Sequence, residues 1–285
     1  SGLADAYSSL GYFGMIPPEV ARAKAGEASA NAVRFAPDLA EAHTSRGVFA
    51  LLLEWNWEES KREFERALEI NPGYIQGAGW YYLFYRGFLC GQSEPVLRGL
   101  KECWSRDRLS GYAAAMVGFA TAIFSRDREV LDWCRRAEAL DPDAFFTRWL
   151  RVNAHVALGE WNEAIAAAES AVERSGGLVV ALLFLGLSHR ANDAHAAQSI
   201  YEGLVARSSR EYVSPTALAA LSAALGDRRA AREHLQEAVR RRDPSVVIWA
   251  HGWPGTEPLQ LLTEYQAILR DIGVTEWAER EARLT

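Results

Sequence analysis

The stretch LEWNWEESKREFERALEINPGY, residues Leu53–Tyr74, decides the fold. Phe64, Ala67 and Leu68 recur at helical spacing and predict a buried stripe, whereas the charged residues around them predict a solvated face. Pro72 prevents the helix from continuing, because the residue before a proline is pushed out of the α region. The stretch carries no nucleophile, metal-ligand set or phosphate loop, so it predicts a structural helix.

Similar helix ends recur along the chain. They lie at Pro37, Pro72, Arg108, Pro142, Gly176 and Pro244. The first five are separated by 35, 36, 34 and 34 residues. A period this close to 34 indicates helical hairpins that stack into a solenoid. Gly118, Val152 and Gly186 also recur at this period, and we expect neighbouring helices to approach closely there.

This register predicts one all-α domain over residues 1–285. A capping helix at about 257–272 should cover the last hairpin, as terminal caps do in solenoids, and the charged tail after it should be mobile. The segment SVVIWAHGWPGTEP breaks the period before that helix, and its Trp249 and Trp253 are expected to pack in the cap. The seven predicted hairpins span about 1–36, 38–71, 73–107, 109–141, 143–175, 177–208 and 214–243.

The hairpins resemble tetratricopeptide (TPR) repeats. WNEAIAAAESAVERSGG is similar to the second helix of that repeat, and AEAHTSRGVFALL is similar to the first. The resemblance covers about Leu3 to Val274 and implies a right-handed α-solenoid that binds proteins or peptides.

A narrower resemblance concerns both ends of the array. The stretches GLADAYSSLGYFG, REYVSPTALAALSAALGDRRAAREHLQEAV and EPLQLLTEYQAILRDIGV resemble the TPR regions of bacterial signalling proteins. In that group the array follows a kinase, adenylate cyclase, TIR or winged-helix domain. The resemblance implies a regulatory module that recruits a partner or restrains its own effector domain. Because Ser1 starts inside an expected helix, we expect the gene to continue upstream. The alternative is an assembly module that oligomerises and brings effector domains together.

The candidate binding surface comes from the resemblance, because several first-helix positions line the groove of TPR proteins. An aromatic row beside arginine and asparagine is typical of interface hot spots. Alternatively, the superhelix is tight and the same residues are core. The groove residues carried over are Arg86, Tyr112, Phe119, Phe146, Trp149, Asn153, Leu183, Leu187 and Arg190.

Composition argues against several other functions. The net charge of -6 disfavours a nucleic-acid partner, which requires a basic face. Cys90, Cys103 and Cys134 are well separated and predict reduced thiols in the cytoplasm. The longest uncharged runs fall short of the ~20 residues of a membrane span. No catalytic constellation, metal set or cofactor motif stands out, so we expect a non-enzymatic protein without a cofactor.

Overall fold

The computed structural model describes residues 1–284, and within them the chain forms 18 α-helices and no strand. The prediction of an all-α fold is confirmed. The helices are α1 (Gly2–Tyr12), α2 (Pro18–Phe35), α3 (Ala40–Phe49), α4 (Trp57–Ile70), α5 (Ile75–Gly79), α6 (Ser93–Arg106), α7 (Gly111–Ala120), α8 (Glu129–Leu140), α9 (Phe145–Leu158), α10 (Trp161–Ser175), α11 (Val179–His189), α12 (Ala194–Arg207), α13 (Pro215–Ala224), α14 (Arg228–Arg241), α15 (Ser245–Ile248), α16 (Glu257–Gln260), α17 (Thr263–Asp271) and α18 (Val274–Ala282).

Three of the helices continue without a break into π-helical segments. These segments are π1 (Ala50–Glu54) after α3, π2 (Trp80–Leu89) after α5 and π3 (Thr121–Ser125) after α7. Trp55, which follows π1, has a positive φ of 57°.

Helix α4 shows how the quoted stretch forms its element. The Asn56 side chain accepts a hydrogen bond from the backbone N–H of Glu59 and caps the helix start. Phe64 and Ala67 are buried as expected. The Phe64 ring packs on Gly47 of α3, where an added Cβ would lie 2.9 Å from the ring. The helix ends at Ile70, two residues before Pro72.

Consecutive helices pack against each other from α1 to α14, and two of them lie in each predicted hairpin range. The first helices of neighbouring pairs also touch, as in α1 with α3, α7 with α9 and α11 with α13. The close approach expected at Gly118 and Gly186 is present. An added Cβ would lie 2.4 Å from Leu150 at Gly118 and 2.7 Å from Leu221 at Gly186.

The C-terminal part differs from the prediction. One continuous helix at about 257–272 was expected, but the chain leaves α16 at Leu261, which is 82% exposed, and begins α17 at Thr263. The tail, expected to be mobile, forms α18. Its Trp277 and Glu281 are buried, and the Glu281 carboxylate accepts hydrogen bonds from Lys61 Nζ at 2.9 and 3.1 Å. Buried contacts to α4 and π2 therefore order the tail.

Candidate binding cleft

The predicted groove residues are mostly buried. Phe119, Trp149, Asn153, Leu183 and Leu187 are each 5% exposed or less, whereas Arg86, Tyr112, Phe146 and Arg190 are half-buried. The groove was expected to expose its aromatic row. Phe119 and Trp149 are instead buried, so this expectation is corrected. The buried positions of these side chains agree with the alternative, in which the same residues form part of the core. Whether any of them contacts a partner stays a prediction.

The chain itself covers this surface. Residues 244–262, which we call the inner segment, run across the first helices, and Trp253 is the central contact. Its ring lies 5.1 Å from Phe88 and 6.2 Å from both Phe119 and Phe184, measured between ring centroids. Its Nε1 donates a hydrogen bond of 2.7 Å to the Asn153 Oδ1. Asn153 thus pairs with an indole of its own chain.

The two predicted groove arginines also face acidic residues of the C-terminal part. Arg190 lies 3.6 Å from Glu257 of the inner segment. Arg86 lies 4.0 Å from Glu281 of α18, measured from guanidinium nitrogen to carboxylate oxygen. The polar contacts expected from a partner are thus made within the chain.

A cleft that the inner segment does not reach remains open, and we call it the aromatic cleft. It has a volume of about 350 Å³ and includes two predicted groove residues, Tyr112 and Phe146. Side chains of α1, α3, α5, π2, α7 and α9 converge on it, near the starts of α5, α7 and α9. The lining residues are Asp5, Ser9, Thr44, Tyr74, Gln76, Trp80, Phe84, Tyr112, Asp141, Ala144, Phe146 and Thr147.

Two glycines let the aromatic side chains come this close. At Gly77 an added Cβ would lie 2.7 Å from the Tyr74 ring and 2.8 Å from the Thr44 hydroxyl oxygen. At Gly79 it would lie 2.5 Å from the Tyr112 hydroxyl oxygen. Glycine inside a helix costs stability relative to alanine, so its presence here indicates a need for space. Both glycines shape one wall of the cleft.

The electrostatics of the cleft are acidic. Asp5 and Asp141 line it, and none of its lining residues is a lysine, arginine or histidine. Burial raises the pKa of Tyr74 to about 12, and the negative charges of Asp5 and Glu41 add to this shift. Burial also raises the pKa of Asp5, partly offset by the hydrogen bond from Ser45 and by the terminal ammonium group.

Two hydroxyl groups at the cleft have no hydrogen-bond partner in residues 1–284. They belong to Thr44, which is 4% exposed, and to Thr147, which is 1% exposed. Buried polar groups are nearly always paired, so each unpaired hydroxyl requires an explanation. A ligand with polar groups in the cleft would supply partners for both.

A larger opening is of a different kind. A surface groove of about 600 Å³ between α8, α9 and α10 is lined by charges that pair with one another, such as Arg148 with Asp143 at 2.8 Å and Arg151 with Glu138. Self-paired, exposed charges of this type contribute little to recognition. The aromatic cleft is therefore the stronger candidate.

No group of three or more histidine, cysteine, aspartate or glutamate side chains in residues 1–284 could hold a metal ion. Burial raises the pKa values of Cys90 and Cys134 to about 12, which keeps both thiols protonated.

None of the helices within residues 1–284 combines the length and the apolar character that crossing a membrane requires.

No protein-family model matches the chain, and no curated protein matches it by sequence.

Sequence reasoning missed most of the cleft. It selected Tyr112 and Phe146 but not Asp5, Thr44 or Thr147. A usable signal was the stretch YIQGAGWYY, residues 74–82, in which two glycines interrupt an aromatic run that begins a helix. Closely spaced glycines there indicate that other side chains approach the backbone.

Proposed function

We propose that the chain is a TPR-type α-solenoid of seven hairpins that binds a protein or peptide. Consecutive packing from α1 to α14 and the contacts between neighbouring first helices support this architecture. The proposed place of the module in a larger bacterial signalling protein rests on the sequence resemblance at both ends of the array.

The aromatic cleft is the observation that carries the binding function. Five successive pairs contribute first-helix side chains to it, as expected for a repeat protein whose binding surface is shared between repeats. A volume of about 350 Å³ suits one or two side chains of a peptide rather than a folded domain. The peptide could belong to a separate partner or to an effector domain in the same protein.

The test uses a variant that fills the cleft. Ala144 lines it and is half-buried, so Ala144→Trp should occupy much of the space. Ala139→Trp is the matched control, because Ala139 lies exposed on α8 and does not line the cleft. Random peptides displayed on phage would be selected on the unmodified chain and then measured against both variants.

We expect the selected peptides to lose at least about ten-fold in affinity for Ala144→Trp and to keep their affinity for Ala139→Trp. Melting temperatures of the variants verify that both are folded. Binding that is equally strong in Ala144→Trp would exclude the cleft as the peptide site. Failure to enrich any peptide, with a mass by light scattering that rises with concentration, would favour the assembly alternative.

A further inference from the structure

We propose that the aromatic cleft accepts a basic side chain, lysine or arginine, of the bound peptide. This inference rests on the proposed peptide-binding function and specifies the chemistry of the residue that enters the cleft. Three properties of the cleft support it: its aromatic lining, its unneutralised carboxylates and its unpaired hydroxyl groups.

The aromatic lining favours a cation over a neutral polar group. Tyr74, Trp80, Phe84, Tyr112 and Phe146 all border the cleft. The Trp80 and Phe84 rings are 4.1 Å apart, and the Tyr112 and Phe146 rings are 5.7 Å apart, between centroids. Aromatic rings attract ammonium and guanidinium groups through their quadrupoles, and clusters of such rings are a known means of binding organic cations.

The carboxylates supply the opposite charge. Asp5 accepts a hydrogen bond of 2.6 Å from Ser45, and Asp141 accepts one of 3.1 Å from the backbone N–H of Ala144. Within residues 1–284, neither carboxylate lies in ion-pair distance of a lysine, arginine or histidine. An incoming basic side chain would therefore be the first to pair with them. Its charge would favour the ionised form of Asp5 and so oppose the desolvation that raises the pKa of Asp5.

The unpaired hydroxyl groups also favour a basic side chain. Thr44 and Thr147 line the cleft, and their buried hydroxyl oxygens have no partner within residues 1–284. Each oxygen can accept a hydrogen bond from an ammonium or guanidinium N–H, and those groups have several donors to offer. A purely apolar side chain would leave both hydroxyls unpaired and would add no charge to offset Asp5 and Asp141.

The helix starts at the cleft act in the opposite direction, because a helix N-terminus is equivalent to about half a positive charge and favours anions. One of these starts is already capped by a side chain, because Ser110 Oγ accepts from the Ala113 N–H at 3.1 Å at the start of α7. Asp141 accepts from the N–H of Ala144, the residue just before α9. Asp5, Asp141 and nearby Glu41 place three carboxyl groups at or near the cleft, and an ionised carboxylate carries a full unit of negative charge. The carboxylates therefore outweigh the remaining helix dipole.

The experiment uses the full chain labelled with 5-fluorotryptophan and observed by fluorine NMR. The Trp80→Phe variant assigns the Trp80 resonance. The probes are acetylated and amidated pentapeptides with a central arginine or lysine between glycines. The matched neutral probes carry citrulline or Nε-acetyl-lysine at the same position. Tetramethylammonium and guanidinium chloride serve as free cations.

We expect the arginine or lysine peptide to shift the Trp80 resonance with saturation, at a dissociation constant at least about five-fold lower than that of its neutral counterpart. Asp5→Asn and Asp141→Asn should each weaken the basic peptide about five-fold and leave the neutral peptide unchanged. Asp271→Asn, an exposed change of the same charge on α17, should have no effect.

The outcomes separate this inference from the proposed function. Equal binding of basic and neutral peptides, abolished by Ala144→Trp, would retain the peptide site and overturn the preference for a cation. A free cation that binds as tightly as the basic peptide would assign the cleft to small molecules and overturn the peptide as its source. No shift with any probe would overturn the inference. If Asp5→Asn failed to fold, Asp141→Asn would decide, because Asp141 is exposed at the cleft rim.

Discussion

Replacement of Trp253 by alanine should destabilise the whole helical array. Trp253 is 3% exposed, and its ring contacts Phe88, Phe119 and Phe184 from three different first helices. Truncation of a buried aromatic side chain to alanine costs about 3–5 kcal/mol. We expect a loss near the upper end of that range, because the ring joins distant parts of the chain and no neighbouring side chain can readily fill the space.

A second substitution distinguishes the stability contributed by the ring from that contributed by its hydrogen bond. Trp253→Phe keeps an aromatic ring but removes the donor to the Asn153 Oδ1, an acceptor that is fully buried. A buried acceptor left without a partner costs about 1–3 kcal/mol. Asn153→Leu removes that acceptor. The double variant should therefore be more stable than the sum of the two single changes implies, as expected for residues in direct contact.

The assay is guanidinium unfolding followed by circular dichroism at 222 nm. Leu261→Ala is the control within the inner segment, because Leu261 is 82% exposed, and it should change the free energy of unfolding by less than about 0.5 kcal/mol. A loss below about 1 kcal/mol for Trp253→Ala would refute the reasoning, since it would mean that Trp253 is not part of the core.

Three further outcomes follow from burial. Trp149→Ala should lower the free energy of unfolding by about 3–5 kcal/mol, because Trp149 is 5% exposed. A cost under about 1 kcal/mol would contradict its burial and indicate a surface position. Glu281→Gln should cost about 3 kcal/mol in the same assay, since it breaks a buried pair with Lys61; an unchanged midpoint would contradict this. Burial lowers the pKa of His251 below its ordinary 6.5, so the folded state favours the neutral ring and its stability should fall as the pH drops below about 6.5. Between pH 7.5 and 5, the free energy of unfolding should decline less steeply for His251→Gln than for the unmodified chain. A smaller decline should remain, because the pKa of His234 is also lowered. Parallel curves for the two proteins would disprove the assignment.

The helices were predictable because their signals are local. The α4 helix begins beside Asn56 and ends before Pro72, and both effects depend on a few neighbouring residues. The small residues Gly118 and Gly186 marked close helix contacts for the same reason, since only a glycine tolerates a side chain at under 3 Å from the position of its missing Cβ.

The inner segment was not predictable in the same way. The sequence predicted that residues 245–258 break the period and that Trp249 and Trp253 pack in the cap. It could not show that Trp253 would reach Asn153, which is 100 positions away in the chain. That contact depends on how the helices pack over a long stretch of the chain, and local sequence patterns do not specify this packing. The same non-local geometry brings Asp5 of α1 to the side chains of α5, α7 and α9.

The predicted groove and the observed core share one chemical description. Aromatic rings beside arginine and asparagine suit a partner interface, but they equally suit an internal contact with the same polar groups. Here the chain supplies those groups itself, through Trp253 for Asn153, Glu257 for Arg190 and Glu281 for Arg86.

Residue types on the first helices therefore cannot distinguish an interface from a core. Solvent exposure and unpaired polar groups can distinguish an interface from a core. Both are found together at the cleft around Tyr112 and Phe146, where the inner segment does not reach and the hydroxyls of Thr44 and Thr147 have no partner in residues 1–284. A ligand that binds the rest of this surface would first have to displace Trp253, at a cost comparable to the Trp253→Ala effect. A ligand for the cleft meets no such barrier.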